Sequence, residues 1–327
     1  MLKAIINPNL YHGRGKKRNF FEGWYFKLVS KDLLHSIAII PGIFKGSCDK
    51  ESHSFIQFLY GDNLDYNYIK YNSNLFNSNP HNLYITIKDS NFSLNGININ
   101  LDEPSLCACG NIKFNNIFKW PDTLLNPGSM GFYNYLGFMQ CFSQVCAMSM
   151  DLVGTLTING ESLDFTDGKG YIEKNWGKSF PLSWNWIQCS SFKKINASLS
   201  CSVGHIPFLG SSFRGFLIGV GFNKQFYKFT TMNKSKLTIK QNLSDITLNV
   251  CNSNYALEVK TVTSKNMYML LNGPRNNEMI PLVEETLNGI VYVKLSYESG
   301  DIIFEDEGRC AGIEYGGKQQ LVIDGLK

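Results

Sequence analysis

The residues best suited to chemistry are concentrated between Gly170 and Phe192, in the sequence GYIEKNWGKSFPLSWNWIQCSSF. Because successive side chains of a strand point to opposite faces, Trp184, Trp186 and Gln188 are predicted to share one face. Two indoles and an amide suit an apolar or flat ligand that one polar group orients. The same residues would also fill the core of a β-hairpin, since large aromatic side chains are common in protein interiors. Both interpretations stay open at this point.

Two carboxylates lie in similar surroundings. Glu22 belongs to a predicted strand, residues 20–29, and shares a face with Trp24 and Phe26. A carboxylate among such neighbours is costly unless it is paired or protonated. Glu22 is therefore either a buried partner of a cation or backbone amide, or an acid with a raised pKa. In the strand that begins at Gly170, a second glutamate, Glu173, shares a face with Tyr171 and Asn175.

These residues must be positioned by β-strands, because almost the whole chain shows short alternating runs separated by turn residues. Asn95-Gly96 and Asn159-Gly160 predict tight hairpin turns. Residues 121–138, rich in glycine, proline and aromatic residues, predict a crossing segment or lid. We predict an all-β fold of two antiparallel barrel or sandwich units with little helix, an N-terminal domain at residues 1–165 and a C-terminal one at 166–327.

Composition excludes several classes of function. The 327 residues are 43% apolar and 18% charged, with a net charge of +4, which indicates an ordered globular protein and no nucleic-acid partner. Nine cysteines without disulfide-framework spacing and five scattered histidines predict reduced thiols, no metal site and no organic cofactor. The start lacks the apolar core of a signal peptide, and no apolar run is long enough to cross a bilayer. We expect a cytoplasmic protein with at most peripheral membrane contact.

Three widely separated segments carry a resemblance to a known family. They are FFEGWYFK at residues 20–27, YIEKNWG at 171–177 followed by a Trp-x-Trp-x-Gln-Cys pattern at 184–189, and AGIEYGG at 311–317. In order and spacing they resemble the tocopherol cyclase family, and more distantly carotenoid hydratases and lipocalin-like proteins. The resemblance implies paired β domains that bind a prenylated aromatic or isoprenoid compound. One departure is that residues 142–146, where relatives often have a histidine, contain none.

The resemblance also implies a reaction, in which a proton is added to the prenyl alkene and the phenol oxygen adds to the resulting tertiary cation. Such chemistry needs a carboxylic acid kept protonated in a dry site, aromatic faces near the cation and a folded prenyl chain. Glu22 or Glu173 would be the acid, and Lys174 would pair with the other glutamate. The residues predicted to contact substrate are Trp24, Tyr25, Tyr171, Asn175, Trp176, Trp184, Trp186 and Gln188.

Two other functions remain possible at this stage. A non-catalytic, lipocalin-like protein could hold a hydrophobic small molecule in the same pocket. A protein–protein module could instead expose its tryptophans as a surface patch, which a buried Trp184 and Trp186 would exclude. Both glutamates would be held by cations or backbone amides in a binding scaffold, whereas an enzyme needs one carboxyl free of basic neighbours.

Overall fold

The structure is a computed structural model that describes residues 2–208, 210–242 and 244–324. Its described residues are almost entirely β-structure, so the all-β prediction is confirmed. Within the described ranges, helical structure is limited to α1 (Leu2–Ile6) and to short 3₁₀ helices at Asp49–Glu51, Ser73–Leu75, Gly131–Tyr135, Thr231–Asn233, Lys265–Met267 and Gln319–Leu321.

The first sheet contains twelve antiparallel strands among the described residues. They are β1 (Phe20–Val29), β2 (Ser36–Lys45), β3 (His53–Tyr60), β4 (Asp65–Asn72), β5 (Phe76–Ser78), β6 (Tyr84–Ile87), β7 (Ser90–Ser93), β8 (Gly96–Glu103), β9 (Leu106–Phe118), β10 (Cys141–Ile158), β11 (Glu161–Asp164) and β12 (Lys169–Gly177). Their order is β4-β3-β2-β1-β12-β10-β9-β8-β7-β6-β5, with β11 paired to β10. The last long strand, β12, is thus inserted beside the first, β1.

The second sheet contains the remaining ten strands described. They are β13 (Ser183–Cys189), β14 (Ala197–Phe208), β15 (Ser211–Phe222), β16 (Gln225–Thr230), β17 (Lys236–Asn242), β18 (Asp245–Cys251), β19 (Tyr255–Val262), β20 (Met269–Arg275), β21 (Glu278–Tyr297) and β22 (Ile302–Gly317). Their order is β16-β15-β14-β13-β22-β21-β19-β18-β17, with β20 paired to β21. Here too the first strand, β13, lies beside the last, β22.

The chain divides into two compact units. The first comprises residues 1–180 with 272–281, and the second comprises residues 181–271 with 282–327. The first unit therefore runs to Phe180, whereas the sequence analysis placed the domain division after residue 165. Strand β12, which carries Glu173, belongs to the first unit because it pairs with β1 and β10.

Each unit has its own hydrophobic core on one face of its sheet. In the first unit the core includes Trp24, Phe26 and Leu28 of β1, at alternating positions. In the second unit it includes Ile187 and Cys189 of β13. The strand period of two correctly predicted both sets, since the side chains of these strands alternate between the core and the opposite face.

The stretch from Gly170 to Phe192 is not a hairpin, so the interpretation of it as a core hairpin is wrong. Its two strands, β12 and β13, belong to different sheets and pair with β1 and β22 respectively. The residues between the two strands, 178–182, cross from the first compact unit to the second instead of closing a hairpin. Turn-forming residues such as glycine and proline occur in both kinds of connection, so composition does not distinguish them. The sequence segments that carry the family resemblance are thus neighbours in pairs: β1 with β12, and β13 with β22.

Among the described residues, no helix has the length and apolar character needed to cross a lipid bilayer.

Candidate functional site

A buried ion pair occupies the core-facing side of β1 and β12. Glu22 and Lys174 are both fully buried, and the Lys174 ammonium contacts Oε1 of Glu22. The register brings them together, because Trp24 lies opposite Lys174, and Glu22 opposite Trp176, on adjacent antiparallel strands. Of the two alternatives predicted for Glu22, a buried partner of a cation or an acid with a raised pKa, the structure therefore shows the first.

The N-terminal segment completes this ion pair. Lys174 Nζ donates to the backbone oxygen of Leu10 (2.6 Å), and the backbone N–H of His12 donates to Glu22 Oε2 (2.8 Å). In the imidazole ring of His12, Nε2 lies 3.0 Å from the backbone oxygen of Ala4. A backbone oxygen can only accept a hydrogen bond, so Nε2 carries the proton. In the neutral ring Nδ1 then accepts from Lys174 at 3.2 Å. All three N–H groups of Lys174 thus have an acceptor: Glu22, Leu10 and His12.

Burial and charge together set the protonation of this cluster. Burial raises the pKa of Glu22, but the charge of the neighbouring Lys174 outweighs this effect, so the pKa of Glu22 lies below its ordinary value. Burial lowers the pKa of His12, and the nearby Lys174 charge lowers it further. Burial also lowers the pKa of Lys174, against the attraction of Glu22. At neutral pH Glu22 is therefore a carboxylate and His12 a neutral imidazole.

Aromatic rings enclose the ammonium group. Lys174 Nζ lies 5.0 Å from the ring centroid of Trp24 and 4.7 Å from that of Trp176. Trp176 is itself stacked between His12, at 4.0 Å, and Phe142, at 5.3 Å. Two of the predicted substrate-contacting tryptophans, Trp24 and Trp176, thus contact a protein cation.

The second predicted acid, Glu173, is on the opposite face of β12. Its side chain is 4% exposed. Tyr171 donates its hydroxyl to Oε2 at 2.6 Å, and Ser143 Oγ and Asn175 Nδ2 lie 3.2 and 3.3 Å from Oε1. These three groups are neutral, and two of them are hydroxyls that can also accept a hydrogen bond. The contacts described for Glu173 therefore suit either a carboxylate or a carboxylic acid.

The Glu173 face is buried yet lies outside the hydrophobic core of the first unit. Tyr25 is directly opposite Glu173 on β1, Lys27 is opposite Tyr171, and all of these side chains are buried. Ser143 is opposite Asn175 on β10. The structure thus brings together Tyr25, Tyr171, Glu173 and Asn175, and separates them from Glu22, Trp24 and Trp176 by the thickness of the sheet.

The second unit has a buried aromatic and polar face of its own. Trp184, Trp186 and Gln188 lie on the face of β13 away from the core, as the strand period predicted, and all three are buried. Trp184 Nε1 donates to Glu314 Oε2 at 2.9 Å, and Gln188 Nε2 donates to Ser190 Oγ at 2.8 Å. Burial of both tryptophans excludes the reading in which they form a surface patch for another protein.

Two carboxylates of this second face were not predicted as site residues. Glu314 of β22 lies opposite Trp186, and the fully buried Glu285 of β21 lies opposite Glu314. Glu285 is fully buried and Glu314 is half-buried, and carboxylates at directly paired positions repel each other, so the burial of Glu285 requires a compensating proton or donor. Glu314 could have been identified from the sequence, because it belongs to the AGIEYGG segment that carries the family resemblance. Glu285 and His12 lie in stretches without a motif that would identify them as site residues.

No group of three or more His, Cys, Asp or Glu side chains suited to a metal ion occurs in the described part of the chain.

Comparison with known proteins identifies a family for most of the chain. A family model described as tocopherol cyclase-like matches residues 102–317. The chain is 23% identical over 366 aligned positions to the chloroplastic tocopherol cyclase of Zea mays, covering 94% of this chain and 77% of the maize protein. It is 22% identical over 211 positions to the probable chloroplastic tocopherol cyclase of Oryza sativa subsp. japonica, covering 62% of this chain and 45% of the rice protein.

The fold also resembles solved structures. The crystal structure of CghA aligns with a TM-score of 0.61 at 7% identity, covering 94% of this chain and 90% of CghA. At this identity the likeness concerns the fold alone, and it agrees with the predicted pair of lipocalin-like β units.

Proposed function

Because the chain belongs to the tocopherol cyclase-like family, we propose that it protonates the prenyl chain of a prenylated aromatic substrate and closes a ring onto the phenol oxygen. Glu173 is the proposed acid. In this reaction the Glu173 carboxyl gives its proton to the less substituted alkene carbon, leaving a tertiary cation. The phenol oxygen adds to that cation, and the phenol proton returns to Glu173. No atom is gained or lost, so the reaction is an isomerisation.

One observation carries the choice of acid, namely that the carboxyl of Glu173 contacts two hydroxyl groups, whereas that of Glu22 contacts the ammonium of Lys174. Glu22 contacts an ammonium and a backbone N–H, which donate and so stabilise only a carboxylate. Glu173 contacts the hydroxyls of Tyr171 and Ser143, which can donate to the charged form and accept from the protonated form. An acid that gives and regains a proton in each cycle needs surroundings that tolerate both states.

The neighbours of Glu173 supply the other requirements of the reaction. The rings of Tyr25 and Tyr171, on the same face as Glu173, would offer their π-faces to the tertiary cation. Asn175 would orient the phenol, and burial of the carboxyl at 4% exposure supports a site that limits competing attack by water. Contact of Trp184, Trp186 and Gln188, which belong to the second unit, with an apolar ligand stays a prediction. Cytoplasmic location remains a prediction, and the plant relatives are described as chloroplastic.

The test is turnover of a prenylated hydroquinone in D₂O, followed by liquid chromatography and mass spectrometry. We expect a cyclised product with one carbon-bound deuterium, because the proton on Glu173 exchanges with solvent before it reaches the alkene. Glu173→Gln keeps the shape of the side chain but cannot donate this proton, so it should bind substrate and form no product. Glu161→Gln, an exposed glutamate of β11, is the matched control and should be fully active.

Three results would contradict the proposal. Equal turnover by Glu173→Gln and wild type would remove the role of Glu173. Product without carbon-bound deuterium would remove the proton-initiated mechanism. Tight binding of the hydroquinone by wild type, without turnover, would instead identify a non-catalytic binding protein.

A further inference from the structure

The connection between β9 and β10 presents an apolar surface to solvent. Residues 121–140, here called the apolar loop, expose Leu124 and Leu125 by 72% and 80%, and Phe132, Tyr135 and Phe138 are also exposed. No charged residue occurs between Thr123 and Met150. Scattered single apolar residues on a surface are ordinary, but five large ones on one short connection are not.

Four of the exposed side chains of the apolar loop, those of Leu124, Leu125, Phe132 and Tyr135, form one patch. Thr123 and Asn126 exchange two backbone hydrogen bonds of 3.0 Å, which place Leu124 and Leu125 at the tip of a tight turn. The Tyr135 hydroxyl donates to the backbone oxygen of Leu124, and so holds the tip beside the aromatic residues. The rings of Tyr135 and Phe132 are 6.2 Å apart.

The apolar loop is also anchored from below. The backbone N–H of Ser129 donates to Gln144 Oε1 (2.8 Å), and its hydroxyl donates to the backbone oxygen of Ser143 (3.2 Å). Asn134 Nδ2 donates to the backbone oxygen of Pro127 at 2.6 Å. The leucines therefore project from a fixed platform. The same platform rests on Ser143, whose hydroxyl contacts Glu173.

The chemistry and size of the patch favour a lipid surface as its partner. Leucines at a protruding tip with phenylalanine and tyrosine behind them match the side chains that enter the acyl and headgroup levels of a bilayer. The five side chains expose roughly 500 Å² of mostly apolar area, less than the ~800 Å² per partner that a stable protein dimer buries. Asp122, the one charged residue of the apolar loop, accepts a hydrogen bond from the backbone N–H of Gly128 (3.2 Å), and no ionised side chain between Thr123 and Gln140 has to be desolvated when the tip enters lipid.

We propose that the apolar loop docks the protein on the surface of a lipid bilayer by inserting Leu124 and Leu125. This inference goes beyond the proposed reaction and does not depend on it. It explains how an apolar substrate dissolved in lipid comes close to a site whose Ser143 supports the same loop.

The test is flotation of the purified protein with vesicles of phosphatidylcholine. Wild type should float with the vesicles, and Leu124→Ser and Leu125→Ser should each lower the partition coefficient by about tenfold, since burial of one leucine is worth at least that factor. Leu34→Ser is the matched control, because Leu34 is 68% exposed in the turn between β1 and β2, and it should partition as wild type does. Unchanged melting temperatures would show that the exposed substitutions leave the fold intact.

A second measurement reports the position of the loop directly. Phe132→Trp places an indole on the patch, and brominated phosphatidylcholine should quench its fluorescence. Wild type that stays unbound, or serine variants that float as wild type does, would overturn the proposal. Sedimentation that shows a dimer lost in Leu125→Ser, without vesicle binding, would overturn it in favour of a second copy of this chain. Turnover of detergent-dissolved substrate by Leu125→Ser should equal that of wild type. A loss of vesicle binding is thereby distinguished from a failure of the proposed reaction.

Discussion

Replacing Lys174 with methionine should destabilise the first unit strongly, because it leaves Glu22 as an uncompensated buried charge. Methionine has a similar length and keeps most of the packing between Trp24 and Trp176, so the change isolates the ammonium. Its loss also leaves the backbone oxygen of Leu10 and Nδ1 of His12 without a donor. Removing one partner of a buried ion pair costs about 3–5 kcal/mol. For a domain of roughly 150–250 residues this lowers Tm by about 6–20 °C.

The assay is urea unfolding at pH 7.5, followed by the fluorescence of the tryptophans. Lys31→Met is the matched control, since Lys31 forms an ion pair with Asp167 in which the side chains are 70% and 66% exposed, and we expect no measurable change. The double variant Glu22→Gln/Lys174→Met removes both charges and should recover roughly half of the lost free energy.

Two outcomes would refute this reasoning. If Lys174→Met cost no more stability than Lys31→Met, the ammonium would not be held by the contacts described here. If the loss of unfolding free energy in the double variant equalled the sum of the losses measured for Lys174→Met and Glu22→Gln separately, Glu22 and Lys174 would not be energetically coupled.

Two further predictions concern single residues. Burial lowers the pKa of His12 below 6.5 in the folded protein, so as the pH falls the imidazole is protonated in the unfolded chain before it is protonated in the folded one. The contribution of neutral His12 to the free energy of unfolding is therefore present above pH 6.5 and is lost as the pH falls through the folded-state pKa. The free energy of unfolding, measured from pH 7.5 to 5.0, should therefore decline less for His12→Gln, and an identical decline would contradict this. Trp186→Ala should cost about 3–5 kcal/mol, because it truncates a buried aromatic side chain. It should also weaken binding of apolar ligands in a fluorescence titration, and unchanged affinity in a folded variant would exclude Trp186 from ligand binding.

Local backbone geometry made part of the fold predictable. The Asn159-Gly160 turn is present as predicted, with φ of 49° and 89° at its two central residues, because asparagine and glycine tolerate this region. The other predicted turn is displaced by one residue: Ser93 pairs with Gly96, so the turn residues are Leu94 and Asn95, and Gly96 begins β8. Dipeptide signals identify a turn more reliably than its register.

The candidate site was predictable only in part, for a related reason. The period of two placed Glu173 with Tyr171 and Asn175, and the family resemblance selected the strands. Neither signal revealed that Ser143, from β10, contacts the Glu173 carboxyl, because the alternation of side chains along one strand does not specify which strand lies beside it.

By itself, the sequence determined the β class, the faces on which Glu22, Glu173 and Trp186 lie, and the strands that matter, since these follow from the two-residue repeat of an extended chain. The tertiary structure alone decided that Lys174 pairs with Glu22, that His12 completes this pair, and that Glu173 lies on the opposite face of the sheet in contact with Tyr171, Ser143 and Asn175. Those contacts join positions up to 162 residues apart. They depend on strand order, which is set by the packing of the whole unit and not by any local pattern.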